Sequence, residues 1–274
     1  MTTNPTLVLG GTGKTGRRVA HRLADLDVPV RLGSRAGTPP FDWTDPAGWD
    51  PVLAGVGAVY LTYQPDLAAP GGAEVVAAFA RRAAAHDVRR IVLLSGRGEP
   101  EAEHAEAAVR AAGVPCTVLR ASWFQQNFSE SHLVDPVRAG VVALPVGDVP
   151  EPFVDADDIA DVAVAALSGD GHAGQLYELT GPRALTFAEA VAGIAAATGR
   201  DVRFTTVTTE AYAARLAAEG VPNAVAGLLT YLFTEVLDGR NAHVADGVEQ
   251  VLGRPARDFA GYAAATAVTG VWKP

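Results

Sequence analysis

Two hydrophobic rhythms alternate along the first half of the chain. Short, mainly apolar runs occur at residues 6–9, 28–32, 41–43, 56–61, 90–96 and 116–120. Between them lie stretches in which apolar residues return every three or four positions, as in Val19, Ala20, Leu23 and Ala24, and in residues 74–86 and 101–112. The first pattern predicts strands buried on both faces, and the second predicts amphipathic helices. Strands separated by helices must be joined by crossovers, so the reading is an α/β fold with a doubly wound parallel sheet.

Beyond residue 120 the rhythm changes. Residues 121–128, ASWFQQNF, are rich in aromatic and amide side chains and suit a pocket wall better than a strand. Asp157 and Asp158 precede the apolar stripe Ile159, Val162, Ala163 and Ala166, and are expected to cap that helix and complement its dipole. A late strand at 176–180 should return to the sheet. Thr186 and Glu189 have capping-box spacing ahead of a helix that runs through Thr198. A strand at 202–207 and helices at 209–219 and 222–237 then suggest a small lobe. The expected division is a dinucleotide-binding Rossmann domain over 1–182 and a substrate lobe over 183–274, with 121–150 also lining the pocket. Ligands of open α/β sheets bind outside the carboxyl ends of the strands.

The first strand runs into Gly10-Gly11-Thr12-Gly13-Lys14-Thr15-Gly16 and leaves as a helix. In such a unit one glycine makes the tight turn, one admits a pyrophosphate, and one lets the helix pack on the strand. An NAD site places an acid about 20 residues on, at the end of the second strand. Here Ser34 and Arg35 stand there instead, with Arg31 nearby. A hydroxyl beside a guanidinium suits a 2′-phosphate, and Lys14 adds charge toward the phosphates, so NADP(H) is the expected cofactor.

Composition narrows the partners. The chain has 274 residues, 49% of them apolar, and a net charge of −9. That balance argues against nucleic acid as a partner. One cysteine, Cys116, excludes an internal disulfide, and the scattered histidines offer no metal-binding spacing, so no metal is expected. There is no membrane-length apolar run and no leader-like start, which reads as a soluble, cytoplasmic protein.

The chemistry is narrowed by exclusion. The only lysines are Lys14 and Lys273, so there is no Tyr-x-x-x-Lys pair of the kind that serves alcohol–ketone interconversion. Glu101, Glu103, His104 and Glu106 are expected to form a solvated helix face. Ser95 ends the strand where a short-chain dehydrogenase places its serine. Acceptors that take hydride without strong protonic help fit better: an iminium, a quinone or an activated enone.

The segments GGTGKTGRRVA, LGSR, FDW with DPAGW, VRRIVLLSG, TVLRASWFQQNFSE, PFVDADDIADVA and GRPARDF resemble the NmrA-like atypical short-chain dehydrogenase/reductases over essentially the whole chain. The likeness is greatest to ergot-alkaloid-type reductases and extends to type 2 quinone oxidoreductases. Ala121 stands where these relatives usually have proline. The resemblance implies an NADPH-dependent reductase with a place in secondary metabolism. It implies Gly10, Thr12, Gly13, Lys14 and Thr15 around the pyrophosphate, Ser34 and Arg35 at the 2′-phosphate, and Asp42 and Trp43 near the adenine. Thr62, Tyr63, Gln64, Ser95 and Gly96 would lie along the nicotinamide, with Tyr63 and Ser95 the candidate catalytic side chains. Trp123, Phe124 and Asn127 would wall an apolar or aromatic small-molecule substrate. A homodimer stays open, and so does the alternative of a non-catalytic NADP(H) sensor that binds a protein partner.

Overall fold

Five of the six apolar runs become strands, the second of them partly exposed. In the computed structural model, which describes residues 4–274, β1 (Thr6–Leu9) leads into α1 (Lys14–Asp25), β2 (Val30–Gly33) and α2 (Trp49–Leu53). There follow β3 (Ala58–Leu61), α3 (Gly72–Ala85), β4 (Arg90–Gly96), α4 (Pro100–Arg110) and β5 (Cys116–Ala121). The chain continues through α5 (Asn127–Glu130), α6 (Val134–Ala139), β6 (Val141–Leu144), α7 (Ala156–Ser168) and β7 (Leu176–Leu179). It closes with α8 (Phe187–Thr198), β8 (Arg203–Thr206), α9 (Thr209–Ala218), α10 (Asn223–Tyr231), α11 (Gly247–Leu252) and α12 (Phe259–Thr269).

Among the described residues, six strands form one parallel sheet in the order β2-β1-β3-β4-β5-β7. This is a Rossmann-like α/β fold. Strand order reverses between β1 and β3, so the carboxyl ends of these two strands flank the crevice where such sheets hold ligands. The expected strand at 41–43 does not form. Pro39 and Pro40 cannot donate to a sheet ladder, and the backbone N–H of Phe41 donates to the Ser34 carbonyl at 2.9 Å instead. Phe41, Trp43, Trp49 and Phe79 pack edge to face as an aromatic cluster beside the sheet.

The chain divides into two compact units. One comprises the described chain up to Ala121, Ala156–Leu179 and Gly247–Arg254; the other comprises Ser122–Asp155, Thr180–Asp246 and Pro255–Pro274. A single cut after residue 182 therefore does not describe the fold. The reason is pairing: β7 completes the sheet beside β5, and α11 packs on α7, so the chain returns to the first unit twice.

Within the first unit the acids at the start of α7 act as ion-pair partners rather than as caps alone. Asp157 accepts from Arg22 at 2.6 Å and pairs with Arg18, Asp161 accepts from Arg22 at 2.5 Å, and the buried Asp158 faces Arg254 at 2.7 Å. The Arg18 and Arg22 pairs pin α1 against α7. The arginines hold the Asp157 carboxyl below its ordinary range, against the opposing effect of burial.

The second unit pairs β6 with β8 in parallel and buries Phe128, Phe153, Phe187, Phe233, Phe259, Tyr262 and Trp272. Two buried polar tips are hydrogen-bonded: Trp272 Nε1 donates to the Phe128 carbonyl, and the Tyr262 hydroxyl donates to Ser129 Oγ, both at 2.7 Å. Thr186 and Glu189 form the expected capping box. No helix among the described residues is long and apolar enough to cross a membrane.

Candidate functional site

The glycine loop sits at the reversal of strand order. Gly10 has φ +60, a conformation open to glycine at little cost. Its Cα faces Thr62, the first residue after β3, whose Oγ1 donates to the Leu9 carbonyl at 3.2 Å. Gly13 precedes the first turn of α1 and donates its N–H to the Gly10 carbonyl at 2.8 Å. A Cβ on Gly16 would lie 2.2 Å from that same carbonyl oxygen, so only glycine lets α1 start this close to the loop. The space above Gly11 is taken by Leu32, next to last in β2, with 42% of its surface exposed. Thr12 is exposed, Lys14 half-buried and Thr15 buried.

Beyond β2, Arg35 is exposed and lines a cavity of about 360 Å³ with Pro39, Pro40, Phe41, Asp42, Asp45, Gly48 and Pro51. The Ser34 carbonyl receives the N–H groups of Gly37 and Phe41, both at 2.9 Å, which curls the segment around Ser34 and Arg35. Asp42 accepts from the Thr44 N–H and hydroxyl, and these bonds, with the nearby Arg35 charge, hold its carboxyl below the ordinary range. Arg31, expected to add charge here, instead donates to the carbonyls of Val52 and Ala54 at 2.7 and 2.8 Å, closing the end of α2. Trp43 stands edge-on to Tyr63 at 5.1 Å, so the residues expected at the adenine and nicotinamide ends share one aromatic contact. Gln64 is exposed.

At the ends of β4 and β5 the structure overturns one expectation. Glu106 does not belong to a solvated face: it is 3% exposed and accepts from Ser95 Oγ at 2.7 Å, Arg120 Nε at 2.8 Å and Arg120 Nη2 at 2.7 Å. Ser95 and Arg120 are register partners on β4 and β5, and α4 lays Glu106 across both. A buried carboxylate needs such donors, and a bidentate guanidinium plus a hydroxyl provide them. Ser95 is buried with its proton committed to Glu106.

Two acids that the sequence reading assigned no role meet nearby. Asp66, after β3, and Glu99, just before α4, are hydrogen-bonded to each other. Burial and the neighbouring Asp66 charge push the Glu99 carboxyl up to about 9, and burial raises Asp66 as well. Gly96 makes room for this: a Cβ there would lie 2.4 Å from Glu99 Cδ. The one sequence signal was indirect, an acid three residues past a strand-ending glycine and directly before Pro100.

In the second unit, Trp123 is half-buried and packs against Phe187 at 5.6 Å and Phe233 at 4.8 Å between ring centres. Phe124 bridges to Val154, and the carbonyl of Phe124 accepts from the N–H of Asn127, which opens α5. Both are half-buried.

A family model described as the NmrA-like family matches residues 103–263. The (4-alkanoyl-5-oxo-2,5-dihydrofuran-3-yl)methyl phosphate reductase of Streptomyces griseus is 37% identical, over 94% of this chain and 96% of that protein. Agroclavine dehydrogenase of Claviceps fusiformis is 30% identical over 93% and 95%. Among solved structures, the NADPH-dependent quinone oxidoreductase QOR2 of Escherichia coli, complexed with NADPH, superposes with a TM-score of 0.80 at 21% identity, over 95% of this chain and 99% of that one.

Proposed function

The chain belongs to the NmrA-like family, and on that premise we propose that it is an NADPH-dependent reductase acting on an electron-poor, apolar small molecule. The observation that carries the cofactor reading is the loop at the reversal of strand order. Gly10, Gly13 and Gly16 leave a cradle that side chains would fill, in front of the first turn of α1. Backbone N–H groups at a helix start are suited to a pyrophosphate. Leu32, exposed at the end of β2, offers an apolar surface to a flat base. Ser34 and Arg35 stand where an NAD site would carry an acid, and Arg35 is the charge for the 2′-phosphate. When bound, the cofactor supplies hydride.

The chain's own residues position both reactants. Gly10, Thr12, Gly13, Lys14 and Thr15 hold the pyrophosphate, Asp42 and Trp43 border the adenine, and Thr62, Tyr63, Gln64, Ser95 and Gly96 border the nicotinamide. Trp123, Phe124 and Asn127 contact the substrate. The proposed substrate class is an activated enone, with quinones and iminium ions as further acceptors. The Streptomyces griseus relative is named for reducing a ring whose double bond is conjugated to two carbonyl groups, and the absence of a tyrosine–lysine pair fits an acceptor already disposed to take hydride.

The test has two parts. The protein should bind NADPH more tightly than NADH, and Arg35→Ala should erase most of that preference; equal affinities in the unaltered protein would refute the 2′-phosphate assignment. NADPH should be consumed with at least one member of a panel of activated enones, quinones and cyclic iminium ions. Silence across the panel, together with cofactor-dependent capture of one defined protein partner, would instead support a redox sensor.

A further inference from the structure

The phosphate that separates NADPH from NADH is carried by the same ribose as the adenine, so a cavity that takes this phosphate also meets the base. The cavity beside Arg35, of about 360 Å³, falls in the size range of small-molecule sites. Three prolines and Phe41 give it apolar walls, and its charged members are Arg35, Asp42 and Asp45.

Three observations single out Asp45. It stands at the N-cap of the single turn Pro46–Gly48 that leads into α2, yet its side chain accepts no hydrogen bond from that turn, as a capping aspartate ordinarily does. Gly48 leaves the room that the carboxyl occupies, since a Cβ there would stand 3.1 Å from Asp45 Oδ2. Among the described residues neither Asp45 nor Arg35 makes a side-chain hydrogen bond or a salt bridge, so an acceptor and a donor both line the cavity without protein partners. Both side chains are exposed, and a ligand reaches them without movement of the protein. Asp42 differs, because its Oδ1 is already taken by the N–H and the hydroxyl of Thr44 at 2.8 and 2.7 Å.

The cavity therefore suits a flat group with an anionic substituent on one side and an N–H donor on the other. Adenosine 2′-phosphate has both, a phosphate and an exocyclic amine. We propose that Asp45 reads the base of the cofactor, accepting a hydrogen bond from the adenine 6-amino group while Arg35 holds the 2′-phosphate. This rests on the reductase reading and its NADPH site. A purine with a 6-oxo group turns lone pairs toward the carboxylate where adenine turns protons, and its N1–H is flanked by that oxygen. The charge-assisted hydrogen bond is then lost and repulsion takes its place. Asp45 is thus the residue that selects the base, and Arg35 the residue that selects the phosphorylated cofactor.

The experiment measures, by titration calorimetry, the dissociation constants of NADPH and of its hypoxanthine analogue, deamino-NADPH. The two share the 2′-phosphate and the nicotinamide and differ at position 6 of the purine. The unaltered protein should bind NADPH about tenfold or more tightly, the worth of a hydrogen bond to a charged group. Asp45→Asn, whose amide accepts from a 6-amino group and donates to a 6-oxo group, should bring the two constants nearly together. Asp45→Ala should weaken NADPH and leave the analogue almost unchanged. Arg35→Ala should weaken both and preserve their ratio. Asp45 is exposed and outside the core, so both of its variants are expected to fold, as a thermal melt would verify. Equal affinities of the unaltered protein for the two cofactors, or a preference that survives both Asp45 substitutions, would overturn the proposal and leave the reductase reading intact. If the unaltered protein bound neither cofactor, both would fall.

Discussion

Glu99, just before α4, and Glu106, within it, stand about two turns apart, are almost equally buried, and have opposite surroundings. Glu106 meets a bidentate guanidinium and a hydroxyl on β5 and β4, so its charge is matched bond for bond. Glu99 meets another carboxyl, and its buried Oε2 has no hydrogen-bond partner. The first arrangement locks α4 to the sheet and leaves nothing over for chemistry. The second is held in a state that a fully satisfied acid would not keep, and perturbed groups of this kind collect at functional sites. Burial alone therefore says little about an acid; the sign of what faces it decides its role.

The largest effect expected from breaking this contrast comes from Arg120→Met. It strands the buried Glu106 charge with only the Ser95 hydroxyl, and should cost about 3 kcal/mol, read as a fall in Tm and in the denaturant midpoint. Activity per folded molecule should change far less than stability. Next comes Gly96→Ala, whose Cβ would overlap the Glu99 carboxyl and should cost about 1–3 kcal/mol. In a Glu99→Ala background most of that cost should vanish, so a double-mutant cycle should give a coupling of about 1–2 kcal/mol. Additivity would mean that the carboxyl does not occupy that space.

A pH experiment sharpens the same comparison. The Glu99 carboxyl is raised in the folded protein from the ordinary 4.5 to about 9. The folded state therefore binds the proton more tightly than the unfolded chain does. Its stabilising contribution is complete below the unfolded value and declines as pH rises toward the folded one. Stability should fall between about pH 5 and pH 9, and Glu99→Gln, whose amide donates to Asp66 at every pH, should flatten that fall and raise Tm at pH 8 by a few degrees. The smallest effect belongs to Glu101→Gln. Removing this exposed negative neighbour should lower the pH at which Glu99 ionises by a few tenths of a unit and cost no more than about 0.5 kcal/mol of helix-dipole stabilisation.

How far the site could be read in advance follows from the distance along the chain between its parts. The glycine loop, the capping box of Thr186 and Glu189, and the pairing of short apolar runs with helices are local patterns, and local physics fixes them. The failed strand at 41–43 had a local warning in Pro39 and Pro40, which the apolar character of Phe41 and Trp43 outweighed. Glu106 was misread because the helix face it shares with Glu103 looks polar in the helix alone; its partner Arg120 lies on a different element. The segments 122–155 and 247–254 change units for the same reason, since strand pairing and helix packing, not sequence continuity, decide where a segment belongs.

The sequence by itself determined the doubly wound α/β fold, the loop that opens α1, and the replacement of an acid by Ser34 and Arg35 at the end of β2. Each depends on a few neighbouring residues whose backbone preferences or charges act at short range. Only the tertiary structure decided which buried acids are matched and which are not. Asp66 meets Glu99, and Ser95 and Arg120 meet Glu106, because β3, β4 and β5 lie side by side and α4 crosses their ends. In a low-dielectric interior that placement sets the energy of each charge, and no pattern along the chain encodes it.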